Sequence, residues 1–323
     1  MTPGPMHAHE ARIDDSLVRR LLAAQFPEWA ELPLKRVESA GTVNAVYRLG
    51  DDMAVRLPRI PEGAGDVEKE CAWLPRLAPL LPLPVPEVIA LGAPAEGYPW
   101  PWAVLRWLDG ELPVAGALAD AGGMAVGLGA FVAAMRQVDL PGGPPAYRGA
   151  PLVTVDTVTR SAIAELDGTI DTPAATAAWE AALAAPRWTG PPVWLHSDLM
   201  PMNLLVRQGG LAAVLDFATV GIGDPACDLI AAWNLLPAEA RPAFRQAAGA
   251  DDAMWARGRG WALSMALTQL PYYRTTNPVI AANAAYVIRE VLGEVDQGLS
   301  RGSCRRRGAR HACVDRHRSR PPT

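Results

Sequence analysis

The spacing of apolar residues changes once along this chain, near Asp109, and that change sets which folds are open to it. Before Asp109 the apolar residues alternate in short runs, the pattern of strands. Beyond it they recur at helical spacing in alanine-rich stretches. The runs LKRVES, AVYRLG and MAVRLP are joined by GTVN and by Gly50-Asp51-Asp52, and their alternation (Val46 and Arg48, Val55 and Leu57) fits an antiparallel meander. A helix over 13–26 precedes them, with an aspartate cap and Leu17, Leu21 and Leu22 on one face. A helix over 66–80, kinked at Pro75, follows them, and VPEVIALG and WAVLRWL complete five strands. Residues 1–108 therefore read as a small α+β lobe, and 109–300 as a larger, mostly helical one. Its helices are expected over 122–139, 155–167, 173–185, 224–236, 238–248, 251–270 and 279–298. Only 193–217 (VWLHSDLMPMNLLVRQGGLAAVLDF) interrupts them, as a loop, a strand, a Gly209-Gly210 turn and a second strand.

Composition narrows the setting. Half of the residues are apolar, which suits a packed chain and excludes a disordered one. No window supplies the roughly 20 apolar residues of a membrane span, and the N-terminus lacks a basic start followed by an apolar core. The four cysteines (Cys71, Cys227, Cys304, Cys313) form no CxxC pair, so neither a disulfide scaffold nor a zinc module fits, and a cytoplasmic location is expected. The net charge is -4, but the tail 301–323, with eight arginines and one acid, contributes +7, so the other 300 residues carry -11. An acidic body disfavours nucleic acid and favours cationic ligands. The tail has no apolar period and reads as a disordered, solvated extension without an assigned role. Lys35 and Lys69 are the only lysines, so a phosphate-binding cation must be one of them or an arginine.

The interruption at 193–217 carries the chemistry. His196-Ser197-Asp198-Leu199-Met200-Pro201-Met202-Asn203 is followed, thirteen residues after Asn203, by Asp216. Two carboxylates and an amide flanking a hairpin can converge on one point. Such an oxygen-rich set suits Mg²⁺, which keeps waters and shares phosphate oxygens with a nucleotide. Asp198 stands five residues before the amide, separating a proton acceptor from a metal ligand on one loop, as phosphoryl transfer requires. No GxxxxGK[ST] occurs, which excludes a P-loop enzyme by motif.

HSDLMPMNLLV, followed by LDF and GDPACDLIAAW, strongly resembles the aminoglycoside phosphotransferase family of protein-kinase-like enzymes, with its H-G-D-x-x-x-x-N loop and I/L-D-x segment. GTVNAVYRLGDDMAVRLPR and EKECAWLPRL also resemble the family's nucleotide loop, phosphate-cation strand and following helix, so the likeness covers about 30–295. The resemblance implies a bilobal protein-kinase-like α+β fold, with a small five-stranded antiparallel lobe and a larger helical lobe. ATP or GTP is expected in the cleft between them. It implies Asp198 as catalytic base, Asn203 and Asp216 as Mg²⁺ ligands, and Arg56 with Glu70 as phosphate cation and ion-pair partner. Gly41 and Thr42 fall in the implied phosphate loop, and Arg106, Trp107 and Leu108 where the hinge should meet the base.

Two departures stand out. Ser197 replaces the glycine of H-G-D, and the phosphate loop has only Gly41. Other residues have plainer readings. His196 fits a loop anchor, and Asp228 a cap or brace of the catalytic loop. Trp233, Tyr272 and Tyr273 either line an acceptor pocket or pack between helices. The implied activity is transfer of a γ-phosphoryl group to a hydroxyl of a small cationic antibiotic of aminoglycoside type, inactivating it. Alternatives are a macrolide, a nucleoside antibiotic, an amino alcohol or homoserine-like metabolite, or a nucleotide-binding scaffold without catalysis. The cationic preference rests on acids in the helical lobe: Asp156, Glu165, Asp167, Asp224, Asp228, Asp251, Asp252, Glu290 and Glu294. Neither nucleic acid nor membrane is expected as a partner, and the oligomeric state is open.

Overall fold

A computed structural model of the chain describes residues 10–37 and 43–294. Gly41, Thr42 and the arginine-rich tail lie outside these residues. The first helix, α1 (Asp15–Gln25), starts where Asp14 Oδ1 accepts the Leu17 N–H at 2.8 Å. Its buried residues Leu17, Val18, Leu21 and Leu22 pack on one face of a sheet.

That sheet contains β1 (Leu34–Arg36), β2 (Asn44–Leu49), β3 (Met53–Pro58), β4 (Val88–Gly92) and β5 (Trp102–Arg106). They pair in the order β1-β2-β3-β5-β4, and every pair is antiparallel. Strand β3 is buried at all six positions because both faces are covered. Its two-residue period sends Val55 and Leu57 into the cluster under α1, so Arg56 takes the opposite face. A one-residue slip would exchange them, so packing of Val55 and Leu57 also fixes where the guanidinium goes.

The opposite face is covered by α2 (Glu62–Leu77). Val67, Glu70, Leu74 and Leu77 are its buried side chains at spacings of three and four, so the helical period that builds the core also turns Glu70 inward. Pro75 sits inside this helix without ending it, and the helix starts one turn before the predicted Asp66.

After β5 the chain crosses to the larger lobe. A Cβ on Gly110 would lie 2.9 Å from Leu205 Cβ and 3.0 Å from the Val206 carbonyl oxygen, so only glycine fits at this approach. The next residue, Glu111, exchanges two backbone hydrogen bonds with Val206 (2.9 and 2.8 Å). The connection is thereby fastened to the hairpin that carries the site.

The larger lobe runs through α3 (Ala121–Gln137), α4 (Asp156–Glu165), α5 (Thr172–Leu183), β6 (Val193–Leu195), β7 (Leu204–Arg207), β8 (Gly210–Val214) and β9 (Gly221–Gly223). It continues with α6 (Ala231–Asn234), α7 (Arg241–Ala247), α8 (Asp252–Tyr273) and α9 over 278–294. Strands β7 and β8 form a hairpin and β6 pairs with β9, both antiparallel, inside a helical shell whose core includes Phe131, Trp179, Trp194, Phe217 and Trp233. The predicted helix over 224–236 is instead a 3₁₀ segment, Pro225–Ile230, followed by the single turn of α6. Pro225 opens it, Asp224 caps the Ala226 N–H, and α8 presses close through Gly258, where a Cβ would meet Leu229 Cβ at 2.6 Å. Among the described residues no helix is long and apolar enough to cross a membrane.

Candidate active site

The site begins at the end of β6, where the chain turns sharply at Ser197 with φ +65°. A side chain pays for that left-handed conformation with steric strain, which persists only where the surroundings over-determine it. They do so here. The buried carboxylate of Asp228 accepts the N–H of His196 at 2.8 Å and of Ser197 at 2.7 Å. Ser197 Oγ donates to the Thr219 carbonyl (2.8 Å), and Thr219 Oγ1 donates to the His196 carbonyl (2.7 Å). Burial pushes the Asp228 carboxyl above the ordinary carboxylate range, and the two N–H donors act against that rise.

His196 is fully buried. Its Nδ1 receives the Asp198 N–H at 3.3 Å and its Nε2 lies 2.9 Å from the Leu215 carbonyl, so the partners assign the ring proton to Nε2. The ring thus ties the start of the loop to the residue before Asp216. It serves as an anchor.

Asp198 and Asn203 are held together. Asn203 Nδ2 donates to the Asp198 backbone carbonyl at 2.9 Å and to its Oδ2 at 3.1 Å, across the turn Pro201–Asn203. Asp198 Oδ1 accepts a hydrogen bond from Arg148 Nη1 at 2.9 Å. The spacing of residues does not mark Arg148, which stands 50 positions from Asp198. The one sequence signal is that it is the sole basic residue between Arg136 and Arg160. Asn234 adds a further brace, its Nδ2 donating to the Leu199 carbonyl at 2.9 Å.

Asp216 follows β8 in a left-handed conformation of its own (φ +60°), with its side chain accepting the Ala218 N–H at 3.4 Å. Its Oδ1 lies 3.8 Å from Arg56 Nη1. Arg56 is paired with Glu70 through both guanidinium ends, Nη1 to Oε1 at 3.1 Å and Nη2 to Oε2 in close contact. The arrangement is a chain of charges, Glu70–Arg56–Asp216, and a second set of polar groups, Arg148–Asp198–Asn203, linked to it where the Leu215 N–H donates to the Asn203 carbonyl at 2.7 Å.

The donor set fits Mg²⁺. Asn203 Nδ2 is spent on Asp198, which among the described residues leaves its Oδ1 without a hydrogen bond, and Asp216 supplies a carboxylate whose side chain is 41% exposed. An amide oxygen and a carboxylate suit a hard cation that takes its remaining ligands from water and phosphate. Among the described residues no group of three or more His, Cys, Asp or Glu side chains forms a ready metal cage.

The other predicted residues fall as follows. Arg106 points outward to Asp52 (2.9 Å) and Glu87 (3.4 Å). Its N–H and that of Trp107 donate to the Glu87 and Asp52 carbonyls, so of the three predicted hinge residues these two have their backbone donors engaged. Gly41 and Thr42 lie outside the described residues. Trp233 is buried against Trp255 with its indole on Glu294, so it is core; Tyr272 is exposed and packs edge-on against Tyr273. The acids of the helical lobe are mostly engaged. Asp156 pairs with Arg160, Asp224 with Arg257, Asp252 with Arg245, and Glu290 and Glu294 with Arg241, while Asp251 caps α8.

Comparisons with known proteins bear on the fold. The wild-type aminoglycoside 2'-phosphotransferase-IIIa, solved as its GDP complex, superposes with a TM-score of 0.70 at 18% identity, over 87% of this chain and 99% of that one. Aminoglycoside phosphotransferase APH(2'')-Ib, solved with ADP, gives a TM-score of 0.57 at 12% identity, over 86% of this chain and 98% of that one. Macrolide 2'-phosphotransferase MphH from Brachybacterium faecium gives a TM-score of 0.55 at 25% identity, over 85% and 98% of the two chains. No curated protein matches the sequence significantly. A profile of the phosphotransferase enzyme family matches residues 35–261, most of the chain, and with the kinase-like architecture this places the protein in that family.

Proposed function

We propose that the protein transfers the γ-phosphoryl group of ATP or GTP to a hydroxyl of a small antibiotic-like acceptor, in the cytoplasm. The observation that supports this reading is that Asp198 and Asn203 are hydrogen-bonded on one loop, tied by the Leu215–Asn203 backbone bond to Asp216, which faces the Arg56–Glu70 pair. Asp198 orients the acceptor hydroxyl and takes its proton as the new P–O bond forms and the bond from the γ-phosphorus to the departing nucleoside diphosphate breaks. Arg56 grips phosphate oxygens, and Glu70 holds it in place. Asn203 Oδ1 and the Asp216 carboxylate would hold Mg²⁺, which when bound would supply positive charge to offset that of the phosphates. The hinge at Arg106, Trp107 and Leu108 offers backbone groups to the nucleotide base.

Two acceptor readings compete. The acidic body favours a polycationic aminoglycoside. A less charged acceptor of macrolide type is favoured by the ion pairs that hold several of the lobe's acids on arginines, away from a free ligand, and by the cation Arg148 on Asp198. Nucleotide consumption with Mg²⁺ over aminoglycosides, macrolides, nucleoside antibiotics and amino alcohols tests the reading. A product heavier by one phosphoryl group is expected, and consumption with none of them overturns it. Salt then separates the acceptor classes, since exposed charges are screened over about 8 Å at physiological ionic strength. A polycationic acceptor loses kcat/KM through KM as salt rises, and a weakly charged one holds steady.

A further inference from the structure

The Asp198 carboxylate is held on both oxygens, and one of the holds comes from outside the loop and hairpin that carry the proposed reaction. Arg148 lies on the segment between α3 and α4, and its backbone is stitched on both sides to the stretch that follows Asp216. Tyr147 N–H donates to the Thr219 carbonyl (3.1 Å), Ala146 N–H to Ile222 (3.1 Å), and Asp224 N–H to Gly149 (2.8 Å). Gly149 and Gly223 allow this approach, since a Cβ on Gly149 would lie 3.3 Å from Gly223 Cα. From that fixed base Arg148 Nη1 reaches Asp198 Oδ1 at 2.9 Å and the Ser197 carbonyl at 3.3 Å. The Tyr147 ring lies 4.9 Å from its Cζ. Among the described residues Nε and Nη2 make no hydrogen bond, so the whole polar commitment of this side chain is to the catalytic loop.

We infer that Arg148 is a positioning residue for phosphoryl transfer, fixing the plane and aim of the Asp198 carboxylate from the side opposite Asn203. The inference rests on the role proposed for Asp198. One hydrogen bond leaves a carboxylate free to swing about its terminal bond, because that torsion is broad. Two donors on opposite oxygens remove the freedom. A base held loosely by 1 Å can lose about a hundredfold in rate. The pair is part-exposed, with both side chains 22% accessible, so it adds little to stability and its effect belongs in the rate.

The test uses the full chain and the best acceptor found in the screen, with Arg148→Ala, Arg148→Lys and a melting curve and nucleotide titration for each. Arg148→Ala is expected to lower kcat roughly a hundredfold, with the nucleotide KM and Tm close to wild type. Millimolar guanidinium, far below denaturing levels, is expected to restore part of kcat in Arg148→Ala and to do nothing for wild type. Arg148→Lys should fall between, since an ammonium keeps the charge and the donors but lacks the rigid planar head that aims Nη1 at Oδ1 and the Ser197 carbonyl. In an Asp198→Asn background, Arg148→Ala should cost nothing further. An unchanged kcat in Arg148→Ala, or a loss matched by Tm and nucleotide affinity and indifferent to guanidinium, overturns the inference. If that happens while Asp198→Asn is inactive, only Arg148 is misassigned. If wild type turns over no acceptor, or Asp198→Asn is fully active, the functional reading fails and this inference goes with it.

Discussion

Arg56 meets Glu70 across a strand and a helix, whereas Arg148 meets Asp198 across two loops. The first pair is 8% and 4% accessible and uses both ends of the guanidinium; the second is 22% accessible on each side and uses one nitrogen. Regular elements deliver the first pair. The period of two in β3 and the helical period in α2 fix both side chains as by-products of packing the small lobe. The second pair depends on a left-handed turn, a buried carboxylate beneath it and a segment stitched to β9. A buried pair should therefore govern stability and phosphate grip together, and a loop pair should govern rate alone.

The largest effect is expected at the base. Asp198→Asn should lower kcat by roughly 10²–10⁴ while nucleotide affinity stays nearly intact. Wild-type turnover in steady-state assays would remove Asp198 from its role. Asp216→Ala should act differently and abolish Mg²⁺-dependent nucleotide binding along with turnover, as followed by calorimetric metal titration.

Next comes the buried pair. Removing either partner leaves an uncompensated charge in the small lobe, and Arg56→Ala or Glu70→Ala should each cost about 3–5 kcal/mol in urea unfolding. Arg56→Ala should also raise the nucleotide KM with little change for the acceptor, and Glu70→Ala should do so more weakly. The double variant should fall well short of the sum of the two. Additive costs would show two independent side chains and erase the contrast with Arg148.

Asp228 sharpens the comparison, because it shapes the loop pair from below. Asp228→Ala strands two buried N–H groups and should cost roughly 2–4 kcal/mol, read from urea midpoints. Burial raises this carboxyl in the folded state, so the folded chain binds the proton more tightly than the unfolded one. Stability contributed by the acid form is then complete below the unfolded value of about 4. It is lost as pH climbs through the raised folded value and is constant above it. The stability of wild type relative to Asp228→Asn should accordingly fall across that window as pH rises. A difference that grows with pH would reverse the sign.

The smallest effect is expected at Ser197. Glycine would relieve the left-handed strain but lose the Oγ bond to Thr219, two terms of about 1 kcal/mol and opposite sign. Ser197→Gly should leave the melting temperature nearly unchanged. Ser197→Ala, which keeps the strain and loses the bond, should be measurably worse.

These residues differ in how far they could be read from sequence. Val55 and Leu57 disclose the face of β3, and that face discloses Arg56; Asp198, Asn203 and Asp216 are disclosed by their order and spacing around a hairpin. Five strands and most helices follow from periodicity alone. The 3₁₀ winding over Pro225–Ile230 does not, because it is set by Gly258 pressing on it from α8. Arg148 does not either, since its position comes from backbone contacts between segments distant in the chain. The local partners of the helical lobe's acids are not legible in the sequence either: the fold is what brings Arg160, Arg241, Arg245 and Arg257 onto five of them.

The fastening of Glu111 to Val206 makes the crossing between lobes a lever instead of a free joint. Any swing of the small lobe that moves the crossing pulls on β7, two residues beyond Leu204 and three beyond Asn203. On the proposed function, admission of a nucleotide and alignment of the amide that steadies Asp198 would then be one mechanical event. Amide exchange at Val206 should slow when nucleotide is added, although no atom of that residue belongs to the site.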